Sequence, residues 1–564
     1  MAPLRSRPCC LALLGVAAVV ASAAVLAVVL SRAPRCALPR YRHAALAADT
    51  RTCSQVGRDI LQQSGSAVDA AIAALICTSV LNPQSMGFGG GVIFTIYNAS
   101  TGNVEVLNAR ERAPRQTSSS LLDQCAETLL PGPQWIAVPG ELRGYEEAHK
   151  RYGKLPWEAL FEPTIKILDP GIRIPQALSR FLNHTLIQSV LNKTALGELF
   201  RNDQGAILRT GDPFRWPALV GTLRAVAEKG AKEFYVGKTA EKLVQDVRKA
   251  GGTLTLEDLK NYHVDVVSPL NVSLGEYTAY SAPRPAAGPV LFFILNVLKG
   301  FNFTKESVST PSKRAEAFHY IAEALKFANS QRAKVDDPTF STVGQDVIRM
   351  MISDAFAARI RQQIDNQGDH PASHYDPAQL GASPFGTSHV AVLAEDGSAV
   401  SATSTINHPF GSMVYSKQTG IILNNELADF CMKQSSRTIS EGEMPPSSMT
   451  PSILISRDGQ SKLVIGGSGG QLIVPAVALA IANKLWFGYD LDDAIKEPLL
   501  YVTSSNSIEV EENFSQEVVT LLREKGHRVS PTKFALNVVQ GVSKDGPCLF
   551  PYSDQRKQGE ASGY

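Results

Sequence analysis

Alternation of apolar and small or polar positions is clearest in two adjoining stretches, Ser388-His389-Val390-Ala391-Val392-Leu393-Ala394 and Ala399-Val400-Ser401-Ala402-Thr403-Ser404-Thr405-Ile406, separated by Glu395-Asp396-Gly397-Ser398. A period of two marks half-buried strands and Asp-Gly is a favoured hairpin turn, so the pattern predicts a β-hairpin over 388–406. Further strand patterns lie near 92–97 and 462–466. Helical periodicity covers 218–229, 238–250 and 314–330, with a capping-type start at Thr255-Leu256-Glu257-Asp258. Two more helices are expected over 53–63 and 67–80, the second opened by Ser66-x-x-Asp69. A helix-like run follows from Gln471 through Leu485. Helices and strands are thus mixed throughout, and 564 residues with 44% apolar content suffice for one large core or two ordinary ones.

The hairpin begins abruptly. Residues 366–386 are polar and rich in Gly, Pro and Ser, a composition that reads as a loosely ordered connection ending at Gly386-Thr387. A threonine there suits a self-cleaving precursor. Its hydroxyl can attack the carbonyl before it, Gly386 offers no obstructing side chain, and hydrolysis of the ester leaves Thr387 as a new chain terminus. An α-amine titrates near 7.7–8, so a terminal threonine carries its own base and requires no histidine.

The residues around that point carry a family resemblance. Thr387-Ser388-His389, Gly397 through Asn407 and Phe410-Gly411 closely resemble the signature of the gamma-glutamyltransferases, or glutathione hydrolases. Ser85-Met86-Gly87-Phe88-Gly89-Gly90-Gly91, Asn108-Ala109-Arg110-Glu111, Val138-Pro139-Gly140-Glu141, Asn424-Asn425-Glu426, Pro446-Ser447-Ser448-Met449 and Gly469-Gly470 resemble further family blocks in the family's order. The runs 91–97 and 408–415 are most similar to the leukotriene-processing branch. Ala391 departs from the pattern, standing where the signature usually has Ser or Thr. The resemblance implies an α+β, four-layer αββα N-terminal-nucleophile hydrolase in which a large piece, 46–386, and a small piece, 387–564, form one interwoven body.

A γ-glutamyl group ends in an α-carboxylate and an α-ammonium, and its recognition needs a cationic fork and an acidic pair. Arg110 suits the carboxylate, with Ser447 and Ser448 as neutral donors. The resemblance places Glu426 and Asp429 around the ammonium with help from Asn407, makes Gly469 and Gly470 the backbone donors to the developing oxyanion, and has Thr405 orient Thr387. It implies glutathione, glutathione conjugates and leukotriene C4 as substrates, water or an amino acid or peptide amine as acceptor, a heterodimer of the protein's own cleavage products, and no cofactor.

Two other readings stay open on sequence. Gly466-Gly467-Ser468-Gly469-Gly470 matches G-x-S-x-G between a strand-like and a helix-like run, and Asp492 or Asp493 and then His527 follow in the order of an α/β-hydrolase triad around Ser468. Alternatively the chain is an inactive paralogue kept as a binding module. His370 and His374 have i,i+4 spacing but lie in a Pro-containing polar stretch, so they read as solvated loop histidines and no metal site is expected. A formal charge of +2 gives no reason to expect nucleic acid.

Residues 9–30 form an uncharged apolar run of 22 residues, long enough to cross a bilayer and longer than an ordinary signal-peptide core, though its Ala-rich middle leaves cleavage open. The expected order is a short cytoplasmic tail (1–8), a signal-anchor (9–30) and a stalk (31–45). The sequons at Asn98, Asn183, Asn192, Asn271, Asn302 and Asn513 all follow the run and favour an extracellular body, hence a single-pass type II plasma-membrane protein. The resemblance implies a Cys53–Cys77 bridge, worth about 3–3.5 kcal/mol by chain entropy. Cys36, Cys125, Cys431 and Cys548 have no partners assignable from sequence.

Overall fold

Two sheets lie at the centre of the computed structural model, which describes residues 36, 39–125, 129–375, 386–432, 438–532 and 538–564. One has seven strands in the order 562–563, 45–47, 388–393, 399–405, 91–98, 103–109, 265–267; the other has six, in the order 548–553, 538–545, 462–468, 452–456, 277–281, 270–274. Neighbours in both run antiparallel. Each sheet takes strands from both sides of Thr387, so the chain before that residue cannot form either sheet alone.

The sheets face each other across a layer of small and branched side chains: Ala45, Ala47, Ala391, Leu393 and Ala399 meet Ile453, Val464, Val542 and Leu549. Ala391 is therefore a spacer between sheets, where a hydroxyl would need a partner in an apolar layer. On the outer faces, helices Arg51–Gln62, Ala67–Leu81 and Glu141–Tyr152 cover the first sheet. Helices Gly288–Lys299, Pro311–Gln331 and Ile473–Leu485 cover the second, which completes an αββα stack. Every residue of Ala67–Leu81 is buried, as its all-round apolar sequence demands.

Local signals in the sequence correspond to elements. The patterns at 218–229, 238–250 and 314–330 become Pro217–Lys229, Lys238–Lys249 and Pro311–Gln331, and both capping boxes form. The hairpin strands are Ser388–Leu393 and Ala399–Thr405, turned at Gly397 with φ +84°.

Cys53–Cys77 is bonded, and the cysteines left open pair as Cys36–Cys548 and Cys125–Cys431. Five sequon asparagines are exposed and Asn98 is half-buried at a strand end. The apolar run 9–30 lies outside the described residues, and among those described no helix is long and apolar enough to cross a membrane.

The expectation of two solvated histidines is corrected. A 3-10 turn, Ala372–His374, stacks the rings of His370 and His374 with centroids 4.2 Å apart, both partly buried, and their nitrogens lie within 4.8 Å of one another and of a Glu323 oxygen. Glu323 is already held by Lys326 Nζ at 2.9 Å and by the Tyr375 hydroxyl at 2.8 Å, so its carboxylate is satisfied, and His370 pairs instead with Asp365 at 3.0 Å.

Candidate functional site

Thr387 sits at the mouth of the hairpin, 5% exposed, where the strand Ser388–Leu393 enters the first sheet. Its hydroxyl donates to the Gly386 carbonyl oxygen and approaches Thr405 Oγ1 at 3.4 Å. Thr405 closes a triangle by donating to the same carbonyl oxygen at 2.7 Å, while its own oxygen accepts from the Asn407 amide at 2.8 Å. The hairpin register makes this possible, because Ser388 pairs with Ser404 and so sets 387 opposite 405. Gly386 is a glycine for a reason invisible in the sequence: a Cβ there would collide with the Asn407 carbonyl oxygen. Asn407 itself is held at φ +72°, a left-handed conformation that Asn tolerates better than most residues.

Lys557, from the C-terminal end of the chain, is buried beneath this triangle. Its ammonium donates to the Thr387 carbonyl oxygen, to Ser468 Oγ at 3.1 Å and to Asp49 Oδ2 at 3.0 Å. Asp49 in turn accepts from Gln540 Nε2 at 2.7 Å. One cation thus joins the start of the first helix, the hairpin, the strand Lys462–Ser468 and the C-terminus. Immediately beyond Ser468, Gly469 and Gly470 have φ of +121° and +58°, backbone that side chains resist, and they turn the chain into helix Ile473–Leu485.

The arginine and acid blocks come together. Arg110, fully buried, donates to Glu426, to Asp429 Oδ2 at 2.7 Å, and to the carbonyls of Pro445 at 3.2 Å and Pro446 at 2.8 Å, just ahead of Ser447-Ser448. Glu111 lies 3.5 Å from the same guanidinium. Burial alone would lower the Arg110 pKa, but Glu426, Glu111 and Asp429 outweigh it and hold it above the ordinary value. Three carboxylates against one guanidinium leave an excess of negative charge out of water. Burial first, and mutual repulsion second, push Glu426 well above the carboxylate range, and burial pushes Glu111 up to about 7. Ser447 is buried with its oxygen accepting from the Met449 amide at 3.2 Å, and half-buried Ser448 accepts from Arg332.

Behind the hairpin, Glu141 is fully buried and accepts from Ser404 Oγ at 2.8 Å and from the Tyr145 hydroxyl; burial pushes its carboxyl up to about 8. His389 is buried against Thr403 Oγ1 at 2.8 Å and burial pushes it down to about 3, leaving it neutral.

The α/β-hydrolase reading fails on geometry. Strand Lys462–Ser468 is antiparallel to both neighbours, whereas a nucleophile elbow belongs to a parallel sheet. Ser468 bonds Lys557, His527 bonds His319 at 2.8 Å and Lys326 at 3.2 Å, and Asp492 pairs with Lys496. Sequence reasoning missed Lys557 and Glu141. Glu141 stood in a noted block without a role; for Lys557 no local signal exists, because its partners are 89 to 508 positions away.

A family described as gamma-glutamyltranspeptidase matches residues 53–564. Among curated proteins, the chain is 53% identical over 565 residues to glutathione hydrolase 5 proenzyme of Homo sapiens, covering 96% of each, and 52% identical to that of Rattus norvegicus, covering 98% of each. Among solved structures it is similar to cephalosporin acylase from Bacillus halodurans, with TM-score 0.83 and 25% identity over 94% of this chain and 97% of that one. It is also similar to Helicobacter pylori gamma-glutamyltranspeptidase, with TM-score 0.53 and 28% identity over 57% of this chain and 92% of that one.

Proposed function

Because the chain belongs to the gamma-glutamyltranspeptidase family, we propose that it cuts itself before Thr387 and then uses that residue to cleave the γ-glutamyl amide of glutathione and its S-conjugates, leukotriene C4 among them. It is an enzyme of glutathione hydrolysis and γ-glutamyl transfer; the cut, the conjugates and the extracellular setting are the proposed part. The observation that carries the reading is the hydroxyl triangle at Gly386, Thr387 and Thr405.

For the cut, Thr387 Oγ1 attacks the Gly386 carbonyl carbon. Negative charge grows on the oxygen to which the Thr405 hydroxyl already donates at 2.7 Å. The C–N bond breaks as the C–Oγ bond forms, the hydroxyl proton ends on the new Thr387 amine, and water hydrolyses the ester to leave Gly386 as a carboxylate. The freed amine stands beside its own hydroxyl as a base poised near neutrality.

In turnover, the substrate's α-carboxylate takes donors from Arg110, Ser447 and Ser448, while its α-ammonium takes Glu426 and Asp429 with Asn407. The crowding of acids around Arg110 suits this exchange: an incoming zwitterion supplies a cation to carboxylates whose ionised form burial disfavours. Thr387 attacks the γ-carbonyl, its amine takes the hydroxyl proton and returns it to the leaving amine, and Gly469 and Gly470 are the proposed oxyanion donors. The glutamyl ester then passes to water or to an acceptor amine. Lys557 positions the centre by gripping the Thr387 carbonyl and Ser468 together.

The run 9–30 would anchor the body to the plasma membrane in type II orientation, a reading that the exposed sequons support. The test is N-terminal sequencing of the smaller band on a reducing gel, paired with assay of glutamate release. Thr-Ser-His-Val at that terminus with activity is expected, and Thr387→Ala should lose both. A single uncut, fully active polypeptide would refute the proposal, and an uncut, inactive one would favour the binding-module reading.

A further inference from the structure

Arg332 caps the helix Pro311–Gln331 and carries a charge that no described residue balances with an ion pair. Nη2 donates to the Gln471 carbonyl at 2.9 Å and Nη1 to Ser448 Oγ at 3.4 Å, both neutral acceptors. Among the described residues it forms no ion pair, and burial, with no opposing carboxylate, pulls its pKa down to about 10. Arg110, by contrast, is surrounded by acids, and a cation shielded from water without a partner is costly.

That guanidinium lines a cavity of about 190 Å³. Asn329, Gln471, Tyr501, Thr503 and Ser504 supply its other polar walls, aliphatic groups including Ile294 and Pro475 supply the rest, and among the described residues no carboxylate lines it. The N-terminal end of helix Ile473–Leu485, which has no side-chain cap, adjoins the same space through Leu472, and its partial positive charge adds to that of Arg332. The cavity is thus cationic, neutral-walled and open to an anion.

Its position narrows the anion. Gln471 directly follows the proposed oxyanion donors Gly469-Gly470, and Ser448 belongs to the proposed γ-glutamyl site, so Arg332 bridges the two. A dipeptide extends about 7 Å from its amine to its far end. We propose that Arg332 and this cavity bind the C-terminal carboxylate of the peptide half of the substrate, both in the leaving cysteinylglycine-type dipeptide and in an incoming acceptor dipeptide. The subsite rests on the γ-glutamyl reading above and adds what that reading lacks, a reason to prefer a peptide over a simple amine on the far side of the scissile bond. The guanidinium offers a carboxylate two parallel donors and gives up only its neutral bond to Ser448.

The test compares glutathione with its C-terminal glycinamide, two donors identical except for the anion, using cut full-length protein and reading glutamate release. The wild type should favour the acid at least tenfold in kcat/KM. Arg332→Met should bring the ratio near one, mainly through KM for glutathione, and Arg332→Lys should restore part of it. Equal rates with acid and amide in the wild type would overturn the proposal without any variant, as would an Arg332→Met protein that loses the same factor on both donors, the signature of a merely structural arginine. Release from neither donor by cut wild-type protein would instead overturn the γ-glutamyl assignment, and this subsite with it.

Discussion

Lys557 Nζ lies 3.0 Å from Asp49 Oδ2, an ion pair closed off from water whose cation also reaches the Thr387 carbonyl. Breaking a buried pair from one side strands the other charge, at a cost of about 3–5 kcal/mol. Lys557→Met should therefore lower stability by that order in denaturant melts and slow the cut before Thr387. Asp49→Asn added to it should recover part of the stability, because no charge is then stranded. An unchanged melt for the single variant would show the pair to be dispensable.

Thr405 donates to the oxygen on which charge must grow during the cut. Thr405→Val keeps the shape and loses the donor, so the rate of fragment appearance should fall about 100- to 1000-fold, the usual effect of one oxyanion donor. Thr405→Ser should stay near the wild-type rate. Time courses on reducing gels decide it, and a Val variant that cuts at full speed would remove Thr405 from the step.

Glu141 carries a carboxyl raised from 4.5 to about 8 by burial. The folded state therefore holds a proton that the unfolded chain releases above about pH 4.5, so this group's contribution to stability is present below that pH and declines as pH rises toward 8. Glu141→Gln removes the titration while keeping an acceptor for Ser404 and Tyr145. Its stability should depend less steeply on pH between about 5 and 8, by up to about 1.4 kcal/mol per pH unit. Parallel slopes for variant and wild type in urea melts would contradict the assignment.

Two of the three disulfides, Cys36–Cys548 and Cys125–Cys431, cross the proposed cut, while Cys53–Cys77 does not. Cut protein should run as one band near the full-length position on a non-reducing gel and as two after reduction. Two bands without reductant would show that neither crossing bridge forms in the mature protein. Cys125→Ser alone should leave the fragments joined, since Cys36–Cys548 remains.

The elements were largely legible because their signals are local. The Asp396-Gly397 turn with alternating flanks, and the boxes at Ser66 and Thr255, depend on residues within a few positions, and each became the element expected. The His370–His374 spacing misled for the complementary reason. Its meaning depended on Glu323, and on the Lys326 that already holds it, neither of which a local window contains.

By itself the sequence determined the hairpin, the threonine at its mouth and the set of charged and glycine blocks, because periodicity, turn chemistry and a motif are properties of neighbouring residues. Only the tertiary structure decided what those blocks face: Lys557 beneath Thr387, Glu141 behind Ser404, the cross-chain cysteine pairs, and Arg332 without a counter-ion. Each of these depends on antiparallel sheets that bring distant segments together and exclude water between them, and a buried charge or thiol acquires its partner, and its energetic weight, only once that enclosure exists.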